Sequence, residues 1–165
     1  MRSRSSVNKK IITLDELKEK SERLRSAGKR VIATNGCFDI LHVGHVRYLA
    51  AARKLGDVLV VGANGDNSVC QLKGEGRPIN REQDRAEVLA ALESVDYVTI
   101  FPELRATNFL RAAQPAIYAK GGDCTPDTLN PKERAVLEKI GTRIEIIPFE
   151  KGYATSQLLT RIGEE

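Results

Sequence analysis

Short apolar runs that alternate with helix-patterned stretches constrain this chain more than any other feature. Val31-Ile32-Ala33, Val58-Leu59-Val60-Val61, Tyr97 to Phe101 and Ala116 to Ala119 are strand-like, and Arg143 to Ile147 adds an alternating strand. Helical signals fill the gaps. Thr13 and Glu16 form a capping box before Leu14, Leu17 and Leu24, and Gly28 ends that leading helix. Tyr48 to Leu55 is stopped by Gly56. Asn80 and Gln83 suggest a second capping box for a helix through Leu92, and Asn108 to Ala113 gives a short one. Asn130-Pro131 opens another that Gly141 closes, and Thr155 to Ile162 is the last. Such alternation predicts an α/β fold, a doubly wound parallel sheet with helices on both faces. Its 165 residues suit a single domain. The boundaries expected are a disordered basic tail over 1–10 and the folded domain over 11–165.

Sheets of this kind bind ligands beyond the carboxyl ends of their strands, near the point where strand order reverses. The first strand runs directly into Asn35-Gly36-Cys37-Phe38-Asp39-Ile40-Leu41-His42-Val43-Gly44-His45, which holds the only two histidines of the chain. With a helix starting near Gly44, both imidazoles flank a first turn whose unpaired N–H groups and dipole favour an anion. A polyphosphate fits that arrangement, and Gly44 is expected to let it approach the backbone. Two readings compete with this one: packing of the histidines alone, and a zinc site with Cys37, which would need a fourth ligand of matching type. After the second strand, Asn64 to Ile79 reads as a long loop carrying Lys73. The fourth strand leads into Lys120-Gly121-Gly122-Asp123 and the fifth into Gly152-Tyr153-Ala154-Thr155-Ser156, so these segments share one sheet edge.

Charge and cysteine content narrow the partners. The net charge is +4, and Arg2, Arg4, Lys9 and Lys10 all lie in the leading tail. The remainder is near neutral and holds few aromatics and no Trp, which argues against a nucleic-acid groove. Cys37, Cys70 and Cys124 are unevenly spaced and too few for a disulfide framework, so reduced thiols in the cytoplasm are expected. No stretch approaches the about 20 apolar residues of a membrane span.

Gly36-x-Phe38-Asp39-x-x-His42-x-Gly44-His45 resembles the signature of the HxGH nucleotidyltransferases, called cytidylyltransferase-like. Gly152-Tyr153-Ala154-Thr155-Ser156 resembles a second element of that family. The likeness runs from about Ile12 to Ile162 and implies a Rossmann-like fold. Within the family, Thr34 to His42, Arg77-Pro78-Ile79-Asn80, Asp84-Arg85, Val95-Asp96-Tyr97 and Lys120-Gly121-Gly122-Asp123 look most like the branch that transfers AMP from ATP to a heptose 1-phosphate. That resemblance implies ADP-heptose, a precursor of lipopolysaccharide, as the product and pyrophosphate as the leaving group. It also implies Mg²⁺ held mainly by the triphosphate, no metal-binding residues of the chain's own, and a homodimer. Other branches transfer CMP to glycerol or alditol phosphates, or AMP to a flavin mononucleotide. A nucleotide-binding module without turnover and a zinc-binding interaction domain belong to other classes.

Carried over by position, the resemblance makes His42, His45 and Lys73 the catalytic residues. Gly36, Cys37, Phe38, Gly44, Arg85, Gly121, Gly122, Asp123, Thr155 and Ser156 would meet the nucleotide and its phosphates, and Asn35 and Asp39 the acceptor. Each has a plainer reading. Lys73 could be a solvated lysine, Thr155 a helix cap, and Asp123 an Asx turn. Arg85 could pair with Glu82 or Glu87. Phe38 suits packing and Cys37 a structural role. Ala154 replaces the serine usual in the family, removing one hydroxyl from the triphosphate site. Phe149 stands where glycerol phosphate cytidylyltransferases carry arginine, which favours adenylyl transfer.

Overall fold

In the computed structural model, which describes residues 4–122, 124–148 and 152–163, the apolar runs become five parallel strands. These are β1 (Val31–Gly36), β2 (Val58–Asn64), β3 (Tyr97–Phe101), β4 (Ile117–Gly121) and β5 (Arg143–Ile147), in the order β3-β2-β1-β4-β5. The helices are α1 (Arg4–Asn8), α2 (Leu14–Ser26), α3 (Val43–Arg53), α4 (Asp66–Lys73), α5 (Glu82–Ala91), α6 (Thr107–Ala113), α7 (Pro131–Ile140) and α8 (Thr155–Gly163).

Successive side chains of a strand point to opposite faces, so a run apolar throughout serves two cores at once. Val31, Ala33, Val60 and Tyr118 meet Leu17 of α2, Phe109 and Leu110 of α6 and Leu137 of α7. Their neighbours Ile32, Leu59, Val61 and Ala119 meet Leu49 and Ala52 of α3 and Ala86, Leu89 and Ala90 of α5. The chain winds outward from β1 through β2 to β3, then returns to place β4 on the other side of β1. Strand order therefore reverses between β1 and β4.

The reversal point opens into a crevice. β1 and β2 stay in register from Val31↔Val58 to Gly36↔Ala63, whereas β1 and β4 pair only at Ile32↔Ile117 and Ala33↔Tyr118. Beyond those pairs a side chain bridges the gap. The Tyr48 hydroxyl of α3 donates to the Ala119 carbonyl at 2.9 Å and lies 2.7 Å from Thr34 Oγ1. With its one proton committed to Ala119, Tyr48 accepts from Thr34.

The caps at Thr13, with both bonds of the box, and at Asn130 and Gly141 are as expected. Three segments differ. The expected loop over Asn64 to Ile79 contains α4, whose apolar content is only Val69 and Leu72, too sparse to display a helical period. The cap of α5 is Arg81, without a side-chain bond, because the Asn80 side chain is spent on the Asp39 carbonyl at 2.6 Å. Within the stretch expected to be a tail, Arg4–Asn8 form α1. Lys10 Nζ donates to the carbonyls of Leu92 and Val95, and Ile11 bridges Val98 at the outer edge of β3.

Candidate active site at the carboxyl edge of the sheet

β1 ends at Gly36, and the chain reverses through Phe38, whose φ is 47°. His42 then caps α3. Its Nδ1 accepts the Gly44 N–H at 3.1 Å, which places the proton of the neutral ring on Nε2. The His45 ring lies against it, with centroids 3.9 Å apart and planes tilted by 33°, and Phe38 meets His45 edge-on at 5.5 Å. Burial pushes the His42 pKa below 6.5. His45 is pushed down to about 4, by burial first and by its neighbour His42 second. The pair is therefore neutral near pH 7, chiefly because both rings are withdrawn from water. His45 Nδ1 is buried and has no hydrogen-bond partner.

Gly44 also has a steric reason. A Cβ there would stand 2.9 Å from both Cε1 and Nδ1 of His42 and 2.9 Å from the Cβ of Tyr153. The glycine is required by the histidine ring and by the segment leading into α8, which pack on it from two sides. Tyr153 in turn receives the Arg47 guanidinium over its ring at 5.5 Å.

Thr155 and Ser156 begin α8, and Thr155 Oγ1 donates to the Ile40 carbonyl at 3.4 Å, bringing the two family-like segments together. Thr155 is not the cap. The N–H groups of Gln157 and Leu158 close on the carbonyl of Ala154, which has no side-chain oxygen to cap the turn. The first-turn N–H groups of Thr155 and Ser156 therefore have no carbonyl four residues back, and they lie beside the histidine segment.

Asp39 and Arg85 are occupied by protein partners. The Asp39 carboxylate is 5% exposed and accepts Arg77 Nε at 2.6 Å and the N–H groups of Ile79 and Asn80 at 2.9 Å. Burial alone would raise its pKa; the bonds from Asn80, Ile79 and Arg77 outweigh that and hold it below 3.8. Arg85 is 2% exposed. It donates to the carbonyls of Asn80 at 3.0 Å and Cys37 at 2.6 Å and pairs with Asp66 at 2.8 Å, not with Glu82 or Glu87. This makes it a clamp between the motif loop and α4, with three of its five N–H donors engaged by the protein. Glu82 instead accepts the Asp66 N–H at 2.7 Å, at the start of α4.

Lys73 is the exposed last residue of α4, not part of a loop, and acts electrostatically on the Cys37 thiol. Burial nevertheless raises the Cys37 pKa, so the group remains a thiol. Gly36 ends β1, Gly121 ends β4 and is buried, and Gly122 follows it exposed. Asp123 and Phe149 lie outside the described residues. Asn35 accepts from Tyr118, which the sequence alone did not single out, and from Lys120 at the head of the Lys120-Gly121-Gly122-Asp123 segment. Tyr48 is a further member of the site revealed by geometry, and the family-like Arg77-Pro78-Ile79-Asn80 segment is joined to it through Asp39. Among the described residues no group of three or more His, Cys, Asp or Glu could hold a metal ion.

Residues 33–160 match the cytidylyltransferase-like family. The chain belongs to that family. Among relatives of this cytidylyltransferase-like chain, the bifunctional protein HldE of Pelobacter propionicus is 46% identical over 160 residues, 97% of this chain and 32% of the relative. The bifunctional protein HldE of Citrifermentans bemidjiense is 48% identical over 153 residues, 93% of this chain and 31% of the relative. The chain thus spans about a third of the length of the curated relatives it matches. A solved structure, the lipopolysaccharide core biosynthesis protein from Thermoplasma volcanium, superposes with a TM-score of 0.62 at 29% identity, covering 77% of this chain and 100% of that one. Among the described residues no helix is long and apolar enough to cross a membrane.

Proposed function

We propose that this chain is a heptose 1-phosphate adenylyltransferase, joining AMP from ATP to the sugar phosphate and releasing pyrophosphate. An oxygen of the acceptor phosphate attacks the α-phosphorus in line; the new P–O bond forms as the bond to the β-phosphate oxygen breaks. The acceptor is already an anion, so no general base and no covalent enzyme intermediate are required. What the protein must do is hold anions together and stabilise the charge that develops.

The observation that carries this reading is the meeting of a neutral histidine pair with the uncapped first turn of α8, tied by the Thr155 to Ile40 contact. His42, through Nε2–H, and His45 donate to phosphoryl oxygens at the reacting centre. Lys73 adds a cation from the end of α4. Thr155 and Ser156 take the β- and γ-phosphates through hydroxyl and backbone N–H groups, while Gly36, Cys37, Phe38 and Gly44 shape the floor. Gly121 and Gly122 line the nucleoside side, a role the motif resemblance extends to Asp123, and Asn35 faces the acceptor. Asp39 and Arg85 act one step back, holding residues 77–80 and the Cys37 carbonyl.

Mg²⁺ brought in with ATP would supply charge neutralisation to the triphosphate, which would hold the ion. The residues near the site do not fit a resident metal, since Asp39 and Asp66 are engaged by arginines. The choice of a heptose rests on the motif resemblance and on similarity to the HldE relatives over nearly the whole chain. In this reading the enzyme works in the cytoplasm as a homodimer. Pyrophosphate release from ATP or CTP with a panel of phosphorylated acceptors tests the proposal. ATP with a heptose 1-phosphate should turn over fastest; preference for CTP, or for glycerol phosphate or flavin mononucleotide, would replace it.

A further inference from the structure

Asn35 lies one residue before the end of β1, on the sheet face it shares with Ala33 and, through the Ala33↔Tyr118 register, with Tyr118 and Lys120 of β4. Its Oδ1 accepts the Tyr118 hydroxyl at 2.5 Å and Lys120 Nζ at 3.3 Å, so both lone pairs are used. The opposite orientation of the amide is forbidden by chemistry. An ammonium has no lone pair, and turning the amide would set its N–H groups against the donors of Lys120. Asn35 Nδ2 donates to no described protein atom, and it is not among the buried atoms left without a partner. It therefore opens on solvent where β1 and β4 part.

We propose that Tyr118 and Lys120 are positioning residues that lock the Asn35 amide with its NH₂ directed into the crevice, where it donates to an oxygen of the phosphorylated sugar. This deepens the transferase reading and rests on it for the identity of the ligand. Tyr118 is suited to the task because burial, with Glu133 adding to it, raises its pKa well above 10. The phenol keeps its proton at any working pH. The arrangement selects for a ligand oxygen that can accept, and a fixed donor costs no reorganisation when it does.

Tyr118→Phe keeps the ring in the core and removes only the hydroxyl. It should raise KM for the sugar 1-phosphate about tenfold, the weight of one fixed hydrogen bond of roughly 1.4 kcal/mol, while kcat and KM for ATP stay within about twofold. Asn35→Asp should lose more, by setting an anion against the substrate. The side-chain NH₂ resonances of Asn35, assigned by their loss in Asn35→Asp, should shift when sugar 1-phosphate is added and move in Tyr118→Phe before any ligand is present. An unmoved amide signal, or equal losses in kcat, both KM values and melting temperature, would overturn the proposal. If the wild type turns over no nucleotide, the transferase reading fails, and the NMR titration with sugar 1-phosphate still decides the role of Asn35.

Discussion

Gly44→Ala separates what the active-site helix needs for stability from what it needs for chemistry. Alanine is the better helix former by about 1 kcal/mol. Against that, the new methyl would stand 2.9 Å from the His42 ring atoms and from Tyr153 Cβ, where ordinary contact begins at 3.4 Å. The imidazole must retreat by about half an ångström, and the cap bond from Gly44 N–H to Nδ1, worth about 1 kcal/mol, weakens. The helix gain and the weakened cap nearly cancel, which leaves the clash with Tyr153 Cβ, about 1–3 kcal/mol of overpacking, as the expected loss in urea. Activity has no such compensation. A displaced donor at a phosphoryl-transfer centre costs on the order of 10²-fold, and kcat in a pyrophosphate-release assay should fall by about that factor. On a His42→Ala background the ring is gone, and alanine at 44 should cost far less than on the wild type. A Gly44→Ala enzyme that keeps its kcat within twofold would refute the reasoning, as would a full additional loss on the His42→Ala background, which would return Gly44 to direct phosphate contact.

Three further outcomes follow from the site. His45 binds its proton near pH 6.5 when unfolded and near 4 when folded, so the unfolded state takes up more protons between those values. Stability should decline as pH falls from about 6.5 to about 4 and lose that slope in His45→Phe, and equal slopes in urea titrations of both proteins would contradict the burial argument. Asp39→Asn leaves Arg77 without its buried counter-charge and should cost about 3 kcal/mol in urea; a loss below about 1 kcal/mol would mean the 77–80 segment is held otherwise. Lys73→Ala, at an exposed position, should leave the melting temperature unchanged and lower kcat by about 10-fold or more, and an unchanged kcat would make Lys73 a solvated helix end.

The fold was legible because its information is local. Short continuous apolar runs, the Thr13 and Asn130 caps and Gly141 each signal their element without reference to distant parts of the chain. The histidine segment was legible for the same reason. What escaped depends on register and on competition between partners. Nothing in the sequence says that Tyr118 of β4 falls beside Asn35 of β1, because that depends on Ala33 pairing with Tyr118. Asn80 has the spacing of a capping residue, but the Asp39 carbonyl, 41 residues away, wins its side chain. Arg85 has a carboxylate at helical spacing, Glu82, and burial directs it instead to Asp66 and two carbonyls. α4 was hidden because the glycines and charges around it outnumber its two apolar residues.

The short bridge from Ile11 to Val98 affects how the molecule behaves in a crowd. An open sheet has two unprotected rims, each able to recruit a strand from another molecule. Along β3 that rim is closed by the chain itself: Ile12 donates to the Val98 carbonyl at 2.9 Å and Val98 to the Lys10 carbonyl at 2.9 Å. Along β5 the guard is charge, with Arg143 and Glu145 breaking an otherwise isoleucine-rich rim. A version trimmed to begin after residue 12 would thus keep the histidine segment and bare the β3 rim, and should self-associate more as its concentration rises.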